Sequence, residues 1–197
     1  VLTYLSSRTI SSTLTGLLIV LLFGDKFIQI IKKFQFNQNF DGRAPESHKK
    51  KDGTPTMGGI LIIGSVVLSG LIWGDLSNKY LLLGLACLVG FAIIGFIDDY
   101  KKIFSLDSTG LSSTTKIFYQ AMVALVVSVI LFASSTSPQE LEYIVPFFKN
   151  ISIELGVGFV FLSVFILVGS SNAVNLTDGL DGLAILPVII ITAALGI

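Results

Sequence analysis

Charge is scarce in this chain of 197 residues. Asp, Glu, Lys and Arg together make up 13%, about half the share found in ordinary soluble domains. The 13 basic and 13 acidic residues cancel, so no global basic field recommends nucleic acid as a partner. Cysteine is nearly absent: Cys87 stands alone inside an apolar run, which excludes a disulfide within the chain and leaves it reading as a small residue in apolar surroundings. There is no internal repeat and no low-complexity tract. No cleavable signal peptide is evident either, because the first apolar run lacks a small-residue cleavage site and leads into a basic loop.

What the chain has in abundance is apolar sequence, 52% of its residues. It falls into runs at 10–31, 58–73, 80–97, 117–133, 155–168 and 183–197, each near the length of about 20 residues that spans a bilayer. The runs lack the alternation of barrel strands, and open strands would leave backbone groups unpaired in lipid. The expectation is therefore all-α: a polytopic membrane helix bundle of about six transmembrane helices, forming a single integral membrane domain over residues 1–197. Asp25 and Lys26 interrupt the first run, so its membrane part is expected to end near Phe23, with "KFIQIIKKF" as an amphipathic extension at the interface.

Basic residues orient the bundle. Lys26, Lys32, Lys33, Arg43, Lys49, Lys50 and Lys51 follow the first run, and Lys101, Lys102 and Lys116 follow the third. The other loops hold only Lys79 and Lys149. Residues 24–57, 98–116 and 169–182 are thus expected to be cytoplasmic loops, with the N-terminus outside.

The unusual residues all belong to those three segments. The first ends in "HKKKDGTPTMGG", the second contains "GFIDDYKK" and "DSTGLSSTTK", and the third reads "NAVNLTDGLDG". Asp98, Asp99, Asp178 and Asp181 are hard oxygen donors of the kind Mg²⁺ prefers, with phosphate oxygens completing a shell. Lys51, Lys101, Lys102 and Lys116 can neutralise phosphate. Gly53, Gly58 and Gly59 let backbone N–H groups approach an anion. Asp178 and Asp181 are three apart, so on one helical turn they point the same way. Each piece alone has a plainer reading: a charged collar, positive-inside lysines, a turn. Their conjunction on one side of a membrane points to phosphate handling with a divalent metal.

"SHKKKDGTPTMGG", "GFIDDYKK" and "NAVNLTDGLDGLA" closely resemble three signature segments of the bacterial phospho-N-acetylmuramoyl-pentapeptide-transferases, within the polyprenyl-phosphate N-acetylhexosamine-1-phosphate transferases. The resemblance extends along the whole chain, including "VPFFKN" in an outside loop. It implies transfer of phospho-MurNAc-pentapeptide from its UDP carrier to undecaprenyl phosphate in the bacterial cytoplasmic membrane, giving lipid I and UMP, with Mg²⁺ required. Carried over by motif, the site comprises Lys51 and Thr56 of the first segment, Asp98, Asp99 and Lys102 of the second with Lys116 after it, and Asn175, Asp178 and Asp181 of the third. Asp98, Asp99 and Asp178 are the expected catalytic residues, and Lys51, Thr56, Lys102, Lys116, Asn175 and Asp181 the expected substrate-binding ones. Asp98 and Asp99 are the expected metal ligands. A homodimer is the oligomeric expectation. The resemblance also implies about ten transmembrane helices and a later "MGDVGSL" segment, so the chain reads as a fragment, incomplete for catalysis by itself.

A phosphate monoester has its second pKa near ~6, so the lipid nucleophile is largely ionised at neutral pH and gains little from a general base. Bringing two anions together is the harder task. Asp98 is expected to act as base or to orient the lipid phosphate, while Asp99 and Asp178 help to place Mg²⁺ and the diphosphate. A covalent aspartyl-phosphate route stays open. The alternatives are a related N-acetylglucosamine-1-phosphate transferase and a transporter fragment. A transporter would require charges in mid-span, and these runs have none there.

Overall fold

The computed structural model describes residues 4–39, 57–104, 110–145, 152–177 and 183–196. It contains six α-helices: α1 (Leu5–Asn39), α2 (Gly59–Trp73), α3 (Lys79–Phe104), α4 (Ser113–Ala133), α5 (Gly158–Thr177) and α6 (Ile185–Gly196). Four are long and apolar enough to cross a membrane, over Leu5–Lys33, Lys79–Ile103, Ser113–Ala133 and Gly158–Thr177. The apolar helices within α2 and α6, Gly59–Trp73 and Ile185–Ala194, are shorter. At 1.5 Å per residue, the 15 residues of α2 reach about 22 Å, less than the ~30 Å hydrocarbon thickness. Among the described residues six helices are thus present, with four of full spanning length.

The distribution of polarity is inverted relative to a soluble protein. The buried polar or charged residues include Ser65, Ser69, Asp98 and Gln120, while Leu21, Leu22, Phe161 and Phe165 are each at least 66% exposed. Apolar side chains facing outward along the helices lose nothing in lipid, and inward polar groups such as Ser69 and Asp98 are hydrogen-bonded.

The helix ends depart from the apolar runs. α1 continues through Asp25 and Lys26 as one helix, so the expected amphipathic extension after Phe23 is continuous with the apolar part. α3 continues past Asp98 and Asp99 to Phe104, so the paired carboxylates lie inside the helix and do not end it. α5 extends beyond Val168 to Thr177, which makes the first half of the expected third loop helical. The segment between α4 and α5, expected from sequence to be an outside connector, is also more than a connector. A 3-10 turn at Pro138–Leu141 precedes an antiparallel pair of short strands, β1 (Glu142–Ile144) and β2 (Ser152–Glu154), with Tyr143 opposite Ile153.

The chain divides into two compact units, Val1–Gln120 and Ala121–Ile197, the division falling within α4. In the first unit, α1 and α2 pack antiparallel. Arg8 Nε donates to the Trp73 carbonyl at 2.7 Å, and Trp73 Nε1 donates to Thr15 Oγ1 at 2.9 Å, so Trp73 anchors one helix on the other. Gly16 faces Ser69, where an added Cβ would lie 3.5 Å from the hydroxyl. Small residues let the two backbones approach, as in other membrane helix pairs. The Ser69 hydroxyl meanwhile donates to Ser65 O of its own helix at 2.8 Å.

A tight connection then reverses the chain into α3. Gly74 N donates to Gly70 O at 2.8 Å, and any Cβ on Gly74 would fall 2.2 Å from that oxygen, so only glycine fits. Hydrogen bonds from the Ser77 hydroxyl and Ser77 N–H hold the Asp75 carboxyl below the ordinary carboxylate range. Asn78 Oδ1 accepts from Tyr80 N at 2.9 Å, capping α3. Because α1, α2 and α3 alternate in direction, the C-terminal part of α1, the start of α2 and the last turns of α3 share one end of this unit. The helix ends that border the first two polar segments therefore lie at the same end of this unit.

Candidate active site

At that end α3 carries "DDYKK". Adjacent residues of a helix point about 100° apart, so Asp98 and Asp99 diverge. Asp98 turns inward and its side chain is 7% exposed, whereas that of Asp99 is 39% exposed. Lys102 stands four residues after Asp98 and three after Asp99, within reach of both. Its Nζ donates to Asp98 Oδ2 at 2.7 Å and lies 3.6 Å from Asp99 Oδ1. Two like charges in sequence become, in the helix, two carboxylates sharing one ammonium.

A second helix closes the cluster. The Leu111 N–H donates to Asp98 Oδ1 at 2.8 Å, and Lys116 Nζ lies 3.6 Å from Asp98 Oδ2. The turn before α4 makes this possible. Gly110 takes φ of +70°, and a Cβ there would lie 2.6 Å from Asp98 Oδ1 and 2.8 Å from Lys102 Cε. Glycine is thus required both for the left-handed backbone and for room. Ser112 follows, its Oγ accepting from Thr115 N at 3.2 Å, while its carbonyl accepts from Lys116 N at 2.9 Å. This cap starts α4 ahead of the apolar run and brings Lys116, in the first turn, towards α3.

Asp98 is therefore a buried carboxylate with two hydrogen-bond donors, the Lys102 ammonium of its own helix and the Leu111 N–H, and a second ammonium, Lys116, at ion-pair distance. Burial alone would disfavour a charge, and this partner set compensates it. The side chain of Lys102 remains 43% exposed and that of Lys116 20% exposed, so neither lysine is sealed from solvent as Asp98 is. Asp98 and Asp99 neutralise the two lysines pairwise, which leaves short-range directional donors rather than a net charge.

As for a divalent metal, the two carboxylates differ. Asp98 Oδ2 faces two ammonium groups and Oδ1 is held by Leu111, which is a poor setting for a cation. Asp99 keeps an accessible carboxylate and fits as one oxygen ligand. Among the described residues, no three His, Cys, Asp or Glu side chains come together to hold a metal.

Of the residues expected from sequence, Asp98, Asp99, Lys102 and Lys116 are brought together. Asn175 is exposed on the last turn of α5, in the second unit. Lys51, Thr56, Asp178 and Asp181 lie outside the described residues. Two contributors were not expected, Gly110 and the Leu111 N–H. The signal for them is "GLSSTT": a glycine next to a Ser-x-x-Thr stretch able to cap a helix.

A buried carboxylate shared by lysines stands near the end of an apolar helix long enough to cross a membrane. Comparison with known proteins gives the family. Residues 81–197 match Glycosyl transferase family 4, which is more than half of the chain, and the chain belongs to that family. Residues 51–63, running from Lys51 into the first residues of α2, match the phospho-N-acetylmuramoyl-pentapeptide-transferase signature 1. Its chemistry is accordingly that of the phospho-MurNAc-pentapeptide transferases, which form lipid I.

Proposed function

We propose that the substrates are UDP-MurNAc-pentapeptide and undecaprenyl phosphate, and that the reaction is carried out on the cytoplasmic side of the bacterial inner membrane with Mg²⁺. A phosphate oxygen of the lipid attacks the phosphorus attached to the sugar. A new P–O bond forms, the P–O bond to the uridylyl phosphate breaks, and UMP departs with that electron pair. The product is a lipid-linked diphospho-MurNAc-pentapeptide, lipid I. The observation that carries this reading is the conjunction of the signature at 51–63, which enters α2, with the Asp98–Lys102–Lys116 cluster at the same end of the first unit.

In this proposal Lys102 and Lys116 receive the phosphate charge that approaches and leaves, which is where such catalysis gains most. Asp99 is a proposed oxygen ligand of Mg²⁺, which when bound would neutralise diphosphate charge, and Asp178 and Asp181 are proposed from their motif alone as a catalytic and a substrate-binding carboxylate. Lys51, Thr56 and Asn175 are proposed contacts to the nucleotide substrate. The lipid phosphate lies at headgroup level and the nucleotide arrives from the cytoplasm. Groups near the end of a membrane helix can meet both.

The test is a competition between donors. The full chain, in membranes with undecaprenyl phosphate and Mg²⁺, is given equal UDP-MurNAc-pentapeptide and UDP-N-acetylglucosamine, and the lipid products are weighed by mass spectrometry. Lipid I as the dominant product is expected. A lipid-linked N-acetylglucosamine phosphate as the main product would replace this reading with that of the related transferases.

A further inference from the structure

The mechanism leaves one group without a necessary chemical task. The lipid phosphate is largely ionised at neutral pH, with a second pKa near ~6, so a base beside it has little proton to remove. Yet the most buried ionisable side chain of the cluster is a carboxylate, Asp98, 5% exposed overall. Its surroundings describe a different use. Oδ1 receives the Leu111 N–H at 2.8 Å. Oδ2 receives Lys102 Nζ at 2.7 Å and faces Lys116 Nζ at 3.6 Å. One carboxylate thus ties the last turns of α3 to the turn before α4 and to the first turn of α4.

We infer that Asp98 is a positioning residue, which acts through Lys102 and Lys116 by holding their ammonium groups side by side to receive one phosphate or diphosphate anion. Resting on the reading that this cluster handles the substrate's phosphates, it assigns Asp98 neither the proton nor the metal. Two lysine side chains are long and would otherwise spread by mutual repulsion, losing rotamer freedom only when the anion arrives. A buried carboxylate between them removes both costs beforehand. The partly exposed faces of the lysines then meet the substrate already aimed, and misplacement by about 1 Å can cost about 100-fold in rate. Gly110 is part of the same device, because any side chain there would collide with Asp98 Oδ1.

The experiment is a double-mutant cycle in the full chain, combining Asp98→Asn with Lys102→Met. Asp98→Asn keeps an oxygen for the Leu111 N–H and removes the charge that gathers the lysines. Each variant is measured for kcat, for KM of the nucleotide and lipid substrates and for the affinity of UMP by calorimetry, a probe that needs no turnover. Unfolding midpoints are taken beside them. A residue acting through Lys102 must show coupling: the effect of Asp98→Asn on kcat and on UMP affinity differs at least about fivefold between the Lys102 protein and the Lys102→Met protein. KM for the lipid substrate should change less than kcat. If Asp98 touches the reacting phosphate on its own account, the two losses multiply and the coupling vanishes, which overturns the inference. A pair that is only structural would couple in the unfolding midpoint but not in UMP affinity, and that result also overturns it. Should Asp98→Asn alone fail to accumulate, the double variant leaves fewer buried unpaired charges. It is then compared with Lys102→Met. A further loss in UMP affinity of under about threefold supports the positioning role, and a larger one rejects it. Absence of lipid I from the unmutated chain with normal UMP coupling would instead count against the proposed substrates and leave the role of Asp98 standing.

Discussion

Gly110→Ala tests the geometry on which the candidate site depends. Its backbone φ is +70°, and holding alanine in the left-handed region costs roughly 1–2 kcal/mol. The new methyl would lie 2.6 Å from Asp98 Oδ1 and 2.8 Å from Lys102 Cε. The lysine end can swing away, but Asp98 is buried and pinned between α3 and α4. Moving its oxygen gives up the hydrogen bond from Leu111, and a hydrogen bond to a charged group contributes about 1.5–3 kcal/mol. The total is about 3–5 kcal/mol. At about 2–4 °C per kcal/mol for a chain of this size, the unfolding midpoint in detergent should fall by about 6–20 °C. Gly95→Ala is the internal control. Gly95 lies within α3 and a Cβ there meets nothing within 4 Å, so that change should be neutral or stabilise by roughly 0.5–1 kcal/mol. An unfolding midpoint for Gly110→Ala equal to the unmutated protein, or equal damage from Gly95→Ala, would refute the account of this turn.

Two further outcomes concern parts of the proposal outside the first unit or outside the structure's described residues. Asp178→Asn, which removes a carboxylate at nearly constant shape, should lower lipid I synthesis by roughly 100-fold or more if it helps hold Mg²⁺ or diphosphate; near-normal synthesis with normal accumulation would make Asp178 a turn residue only. In a Cys87→Ser background, a cysteine replacing Ser108 or Ser171 should resist an impermeant thiol reagent added to intact cells and react after permeabilisation. Labelling from outside would reverse the proposed topology and with it the side on which the reaction occurs.

The apolar runs of the sequence located all six helices, because length and hydropathy report which backbone must satisfy its own hydrogen bonds in lipid. They misplaced several ends, since a helix is not obliged to stop where its side chains become polar. α3 carries Asp98 to Lys102 through its last turns because Asp98, Asp99 and Lys102 pair along the helix. α5 proceeds beyond Val168, where Asn172 Nδ2 donates to the Val168 carbonyl at 2.8 Å. α4 begins early because Ser112 caps it. The hairpin of β1 and β2 was hidden in a stretch that hydropathy treats as connector. At the site, the residue types were legible as carboxylates and lysines with phosphate chemistry. Which carboxylate is buried was not, because neighbours in sequence face different directions only once they lie on a helix, and it is Asp98 that the Leu111 N–H and Lys116 meet. Nor could spacing along the chain announce that Leu111 and Lys116 return to Asp98; that depends on the left-handed turn at Gly110.

The central claim, that this lysine–carboxylate cluster performs phospho-MurNAc-pentapeptide transfer, is tested most directly by the initial rate of lipid I formation in membranes containing the full chain or its Lys116→Met variant at equal amounts. Methionine keeps the apolar stem and removes only the ammonium. The account predicts that the unmutated full-length protein containing this chain forms lipid I and UMP in equal amounts and that Lys116→Met in it slows this by about 100-fold or more, the usual consequence of losing one aimed charge donor. An unchanged rate in the variant, with Lys116 contributing nothing, would contradict it.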